Sequence, residues 1–184
     1  MMDLREIKEF LRDCSIYLIT IGILIIFLVF IISFQPIAGN SMIPTLEEGN
    51  VVIVSKLSYH FASVKRNDIV YVRVNGKSYV KRVIGLPGED IKYLKNILYI
   101  NDQPFTEEFL AEGIETSGFT MEDICKEDEC PDGKIPEDKY LILGDNRPES
   151  EDSRTPSFGL VDKSQIKGKI FFRIWPLNTI GKIN

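Results

Sequence analysis

From Ser15 to Phe34 the chain runs for twenty residues without a charge, rich in Ile, Leu and Phe, and no formal charge occurs anywhere between Asp13 and Glu47. Twenty helical residues rise about 30 Å, the thickness of a bilayer's hydrocarbon core. A cleaved secretory signal has a shorter apolar stretch, and a helix buried in a soluble core keeps a polar face. Neither pattern is present. Cleavage after Ala38 or Gly39 would also leave Ser41 on a loose terminus. The run therefore reads as a retained transmembrane anchor. Arg5, Lys8 and Arg12 precede it, and the first basic residue after it is Lys56. Lys and Arg set orientation far more than Asp3, Glu6, Glu9 and Asp13 oppose it. The expected layout is a cytoplasmic segment over 1–14, an anchor over 15–34 and an exported domain over 35–184. That makes a single-pass protein of the cell membrane with its domain on the extracytoplasmic side.

With the anchor set aside, about 150 residues remain for one packed domain. Charged residues at 27% and hydrophobic residues at 44% exclude a disordered chain. The net charge of -5 argues against nucleic acid as a partner, because phosphate binding needs clustered excess Lys and Arg. Residues 101 to 138 hold thirteen Asp and Glu against Lys126 and Lys134, and most of that acid reads as solvated surface. Of three cysteines, Cys14 lies at the cytoplasmic end of the anchor. Cys125 and Cys130 fall on the exported side, where a local disulfide is one state open to them. Two cysteines and one distant histidine do not make a zinc site, and the pattern calls for no metal or cofactor.

After Pro36 the pattern changes to short runs rich in Val, Ile, Tyr and Phe. These predict strands at 51–55, 68–74, 77–84, 90–93, 97–100, 140–143 and 169–174. Asn75-Gly76 between two of them is a two-residue hairpin signal, because both positions tolerate positive φ. Residues 103–138 lack periodicity and read as an acidic excursion from the sheet. The fold class expected is mostly β: one transmembrane helix followed by an antiparallel β domain.

Ser41 follows directly after the anchor, in Gly39-Asn40-Ser41-Met42-Ile43-Pro44-Thr45-Leu46. A serine hydroxyl needs a positioned base to act as a nucleophile. The only histidine, His60, sits between Tyr59 and Phe61 and reads as a surface or half-buried ring. A lysine can replace it if burial keeps the amine neutral. Lys81 lies in Tyr79-Val80-Lys81-Arg82-Val83-Ile84-Gly85-Leu86-Pro87-Gly88, with Tyr79, Val80, Val83 and Ile84 as apolar neighbours. A third segment, Gly144-Asp145-Asn146-Arg147 with Ser150, Asp152, Ser153 and Arg154, follows an apolar strand. As a calcium loop it puts Arg147 at the third position and Ser150 where glycine is required, so it fails. As a general acid-base pair, Asp145 and Asp152 lack a water-activating set around them. Acids, hydroxyls and arginines in this mixture suit a polar network bracing a neighbouring site.

These three segments, in this order after an anchor, resemble the bacterial type I signal peptidases, and the likeness spans nearly the whole chain. The resemblance implies a signal-peptidase-type antiparallel β domain and a membrane-bound serine endopeptidase that removes signal peptides from exported preproteins. It implies Ser41 as nucleophile and Lys81 as general base, with Ser150 orienting the lysine. Asp145, Asp152, Arg82 and Arg154 would be the ion pairs that hold the site. Ile37, Ala38, Gly39, Met42, Leu46, Tyr79 and Val80 match positions lining shallow pockets for small side chains, which accounts for cutting after Ala-x-Ala. The Ser41 N–H would help form an oxyanion hole. Some relatives carry a serine two residues before the nucleophile, and this chain has Gly39 there. Asn67-Asp68-Ile69-Val70 and Pro87-Gly88-Glu89 also depart slightly from the family's usual wording. The short chain is similar to Gram-positive members. Membrane lipid, the signal peptides of preproteins and proximity to the export channel follow as expected partners. Three other readings stand beside this one, the least of them a hydrolase that depends on His60. A Ser-Lys self-cleaving repressor would need a DNA-binding domain and no anchor. An inactive signal-peptidase-like subunit assisting pilus assembly would have lost Ser41 or Lys81.

Overall fold

The computed structural model describes residues 4–125, 129–130 and 132–183, with the side chains of Leu4, Glu6 and Ile7 excepted. Asp3, Lys126 and the Glu6 side chain, which entered the charge reading, lie outside the described residues. In chain order the elements are α1 (Leu4–Ile31), β1 (Ile32–Pro36), β2 (Val51–Ser55), α2 (Ser58–Phe61), β3 (Ile69–Val74), β4 (Lys77–Gly85), β5 (Ile91–Leu94) and β6 (Ile97–Ile100). They continue with β7 (Gln103–Phe105), α3 (Met121–Ile124), β8 (Lys139–Leu143), β9 (Val161–Asp162), β10 (Ile166–Trp175) and β11 (Gly181–Lys182).

Within α1, Lys8–Ile31 is long and apolar enough to cross a membrane, and none of its most apolar stretch is buried by the rest of the molecule. The helix stops at Ile31 and the last residues of the apolar run become β1. Uniform apolarity cannot distinguish helix from strand here. The strand forms because its backbone groups find partners: β1 pairs antiparallel with β2 from Ile32↔Ser55 to Pro36↔Val51. Pro36, lacking an N–H, is tolerated because β1 is an edge strand. Lys56 fastens the joint, donating its N–H to Ile31 O at 2.8 Å and its Nζ to Val29 O at 3.3 Å.

The large sheet has the order β1-β2-β10-β3-β4-β8-β9, with β11 added to β10, and β5-β6-β7 form a second sheet. All these pairings are antiparallel. The β3–β4 hairpin closes at Val74↔Lys77 through Asn75 (φ 50°) and Gly76 (φ 80°), and its register sets Val70 opposite Lys81. Among the described residues three apolar clusters make the core. Ile84, Tyr93, Leu98, Phe119 and Leu141 fill the space under the small sheet. Val70, Val72, Val83, Ile142 and Phe158 form the second cluster. Ile37, Met42, Leu46, Val52, Val54 and Ile170 form the third, which seats the turn carrying Ser41.

The acidic stretch is more deeply engaged than an excursion. Its first residues make β7, Phe119 exchanges backbone hydrogen bonds with Tyr93, and Met121, Ile124 and Ile135 are buried. Apolar residues spaced irregularly among acids give no periodic signal, yet they are enough to pack this segment onto the small sheet. Cys125 and Cys130 are joined as a disulfide and pack against the same cluster.

Candidate active site

Strand β4 alternates its side chains between two faces, so consecutive residues Lys81 and Arg82 diverge. Lys81 reaches the turn that follows β1. There its Nζ donates to Ser41 Oγ at 2.7 Å. Met42 and Leu46, 1% and 0% exposed, anchor that turn in the third core cluster, which leaves Ser41 half-buried at the surface of the packing. Lys81 itself is 2% exposed. Burial pushes its ammonium down to about 8, and Arg154 adds to the lowering. The carboxylates of Asp152, Glu151 and Asp145 act in the opposite direction and are outweighed. A lysine so placed has a neutral fraction near neutral pH, and in that form its amine can accept the serine proton across the same contact, which is the arrangement general-base chemistry requires.

Arg82 turns to the other face and binds Asp145 bidentately, Nε to Oδ1 at 2.9 Å and Nη2 to Oδ2 at 2.8 Å. Both side chains are 1% exposed. Its Nη1 donates to Asn67 O at 3.0 Å, and Thr45 Oγ1 donates to Asp145 Oδ2 at 2.5 Å. The Phe109 ring lies 4.1 Å from the guanidinium carbon and covers it. Asp145 therefore ties β4 to the Ser41 turn through Thr45. Asp152 makes the second such knot, accepting from Gly144 N at 3.0 Å and from Arg154 Nε and Nη2, both at 2.8 Å. Ser153 Oγ accepts from Ile142 N at 3.0 Å and pins the loop to β8.

Ser41 is also held from its carbonyl side. Asn146 N donates to Ser41 O at 3.0 Å, and Asn146 Nδ2 to Asn40 O at 3.1 Å. Gly144 lies against the same atoms, since a Cβ there would meet Ser150 Oγ at 2.2 Å and Ser41 O at 2.4 Å. The Ser150 hydroxyl is buried and has no hydrogen-bond partner among the described residues, Lys81 included. It stands beside the dyad as an unused donor and acceptor.

A cleft of about 140 Å³ opens in front of Ser41 and Lys81. Ile37, Ala38, Gly39, Met42, Tyr79 and Val80 line it, so six of the seven residues expected at substrate pockets face one space. Leu46 is not on its wall but fully buried behind, packing with Met42. Tyr71 and Ser78 join the lining, their hydroxyls 2.9 Å apart. A wider groove of about 680 Å³ runs past Lys56, His60, Lys163 and Lys167. It holds the histidine but not Ser41, so the Ser41–Lys81 contact belongs to the smaller cleft. Among the described residues no group of His, Cys, Asp and Glu is placed to hold a metal ion.

Sequence reasoning did not select Thr45, Gly144, Glu107 or Thr116. Thr45 and Gly144 lay inside segments already singled out. Glu107 carried no signal, since nothing distinguishes it from the twelve other acids of its stretch.

The chain matches the family model described as "Signal peptidase, peptidase S26" over residues 8–175. It is 44% identical over 155 residues to the signal peptidase I of Bacillus caldolyticus, covering 80% of this chain and 81% of that one. It is 37% identical over 170 residues to signal peptidase IB of Staphylococcus aureus, covering 87% of each. Among solved structures, a signal peptidase I from Enterococcus faecalis V583 superposes with a TM-score of 0.50 at 32% identity, over 59% of this chain and 97% of that chain. An antiparallel β domain behind an apolar helix, a paired serine and lysine, and likeness over most of the length lead to one assignment: the chain belongs to the signal peptidase family, peptidase S26.

Proposed function

We propose that this protein is a membrane-bound signal peptidase I that removes N-terminal signal peptides from exported preproteins through a Ser41/Lys81 dyad. The observation that carries the reading is the 2.7 Å approach of a buried lysine to the serine hydroxyl, while His60 lines a different groove. Neutral Lys81 takes the Ser41 proton, and Oγ attacks the scissile carbonyl. The Ser41 N–H helps stabilise the oxyanion. Collapse of the tetrahedral adduct breaks the peptide C–N bond, the lysine proton goes to the leaving amine, and water then releases the acyl group from Ser41. Ser150, beside Gly144 and free to bond, orients the lysine amine as it exchanges its proton. The ion pairs of Arg82 with Asp145 and Arg154 with Asp152 keep the two segments in register.

The cleft walls of Ile37, Ala38, Met42, Tyr79 and Val80 leave about 140 Å³. That volume accepts small side chains and supports cutting after Ala-x-Ala. The apolar helix from Ser15 to Ile31 acts as the anchor, with 1–14 cytoplasmic and the sheet that begins at β1 outside. The site then lies near the bilayer surface, close to where the export channel delivers preproteins, and sharing one membrane raises the effective concentration of enzyme and substrate. The deciding experiment incubates detergent-solubilised full-length protein with a preprotein carrying an Ala-x-Ala site. Wild type should cut it, and Ser41→Ala and Lys81→Ala should not. Retained cutting by either variant would reassign the site.

A further inference from the structure

One carboxylate of the acidic segment turns inward to a place the proposed chemistry does not use. Glu107 is paired with Arg147, and their side chains are 4% and 0% exposed. Arg147 Nη1 approaches Glu107 Oε2 at 3.3 Å, and Nη2 pairs with Oε1. Every named bond of this pair is directed. Nη1 also donates to Thr116 Oγ1 at 3.1 Å, and Tyr93 Oη donates to Glu107 Oε2 at 2.9 Å. The remaining arm of the guanidinium, Nε, donates to Gly144 O at 3.1 Å. On the other side of that residue, Gly144 N donates to Asp152 at 3.0 Å. Gly144 is thus gripped at both of its peptide units, and it is the residue against which Ser150 Oγ and Ser41 O rest.

A buried ion pair contributes little net stability, because desolvation of both charges offsets most of their attraction. An apolar pair of similar volume would fill this space equally well. What the charged pair adds is a hydrogen bond of fixed direction onto one carbonyl, with Glu107, Thr116 and Tyr93 fixing the guanidinium from three sides. We propose that Glu107 and Arg147 are positioning residues for the reaction. Through Gly144 they set the distance of the Ser41 carbonyl and the Ser150 hydroxyl from the lysine, which makes the acidic segment part of the machinery. The proposal rests on the Ser41/Lys81 reading above.

The test is the double variant Glu107→Gln/Arg147→Met in the full-length detergent-solubilised protein, which removes both charges of the pair. Two readouts are taken per folded molecule: cleavage of the Ala-x-Ala preprotein, and the titration of Lys81 followed by carbon-13 resonances of labelled lysine. Asp152, Glu151, Asp145 and Arg154 face Lys81 and are untouched. Loosening of Gly144 admits water to the amine, so its titration should move from about 8 towards higher pH, by about half a pH unit or more. The kcat should fall about tenfold or more with KM within about twofold, since displacement of reacting groups acts on the chemical step. If the double variant has no cooperative melt, Thr116→Val decides, because it removes one bond to Arg147 and no charge; the same two changes are expected, each smaller. Unchanged kcat and unchanged lysine titration in a folded variant would overturn the proposal and leave the pair as packing. A wild type inert towards the preprotein would sink the functional reading instead, and the lysine titration would still decide the pair.

Discussion

Lys81 and Arg82 are consecutive residues of β4, both almost fully buried, and they send their cationic ends to opposite faces of the sheet. Lys81 meets the Ser41 hydroxyl, whereas Arg82 meets the Asp145 carboxylate. The two burials have opposite electrostatic outcomes. Arg82 keeps its charge because a carboxylate binds it bidentately. Among the described residues no carboxylate is in hydrogen-bond contact with Lys81, so desolvation dominates and favours the neutral amine.

The rate of cleavage should follow that amine. Single-turnover rates should rise with pH about a midpoint near 8, the value to which burial lowers Lys81, and level off above it. Lys81→Ala should lose at least about a thousandfold in kcat with little change in binding. A flat profile from about pH 5 to 9 would contradict a lysine base.

The same shift has a stability signature. The folded value of about 8 lies below the ordinary 10.5, so the unfolded chain binds more protons between those values. Stability from this group therefore rises with pH through that window, and its cost is full below about 8. Lys81→Met removes the cost. Denaturation in detergent should find the variant more stable than wild type near pH 7, by up to about 3 kcal/mol, with the gap closing towards pH 10.5. A gap independent of pH would mean that Lys81 is not held with a lowered pKa.

Breaking the pair on the opposite face should be severe. Asp145→Asn leaves Arg82 charged and buried with its best partner gone, at a cost of about 3–5 kcal/mol. Arg82→Met/Asp145→Leu removes both charges and should recover much of that loss. Thermal melts of the two variants side by side check this; equal destabilisation would indicate that packing, not charge, sets the effect.

Gly144 predicts a steric lesion. In Gly144→Ala the new Cβ would lie 2.2 Å from Ser150 Oγ and 2.4 Å from the Ser41 carbonyl oxygen, so the Ser41 backbone must move. Activity should fall about a hundredfold, while overpacking costs about 1–3 kcal/mol of stability. Gly181→Ala, with nothing within 4 Å, is the matched control and should behave as wild type. Full activity in Gly144→Ala would show that the loop can yield without disturbing Ser41.

How much of this was legible in the chain varied with the physics. Strands at 51–55 and 97–100 were read at their observed bounds, because they are β-branched or aromatic runs between clear turn signals. The Asn75-Gly76 hairpin was equally plain. β1 was hidden inside an apolar run that has no period to betray a change of conformation. β7 lies in the stretch read as an acidic excursion, where three residues are too few to show a period, and it takes shape by pairing with β6. Ser41 and Lys81 stood out through the wording around them, since neither residue type at its own position signals catalysis. The contribution of Glu107 depends on a contact forty residues along the chain, and no local pattern encodes that.

The direct passage from α1 into β1 has a mechanical meaning. With Ile31 closing the helix and Ile32 opening the ladder to Ser55, there is no slack between anchor and sheet. Tilting or sliding of the helix must be transmitted to the edge strand, whose end at Pro36 leads into the cleft. A fragment cut after Ile31 would keep every rung of that ladder, whereas one beginning at Ile37 would lose its outer rail and bare β2 as a new sticky edge.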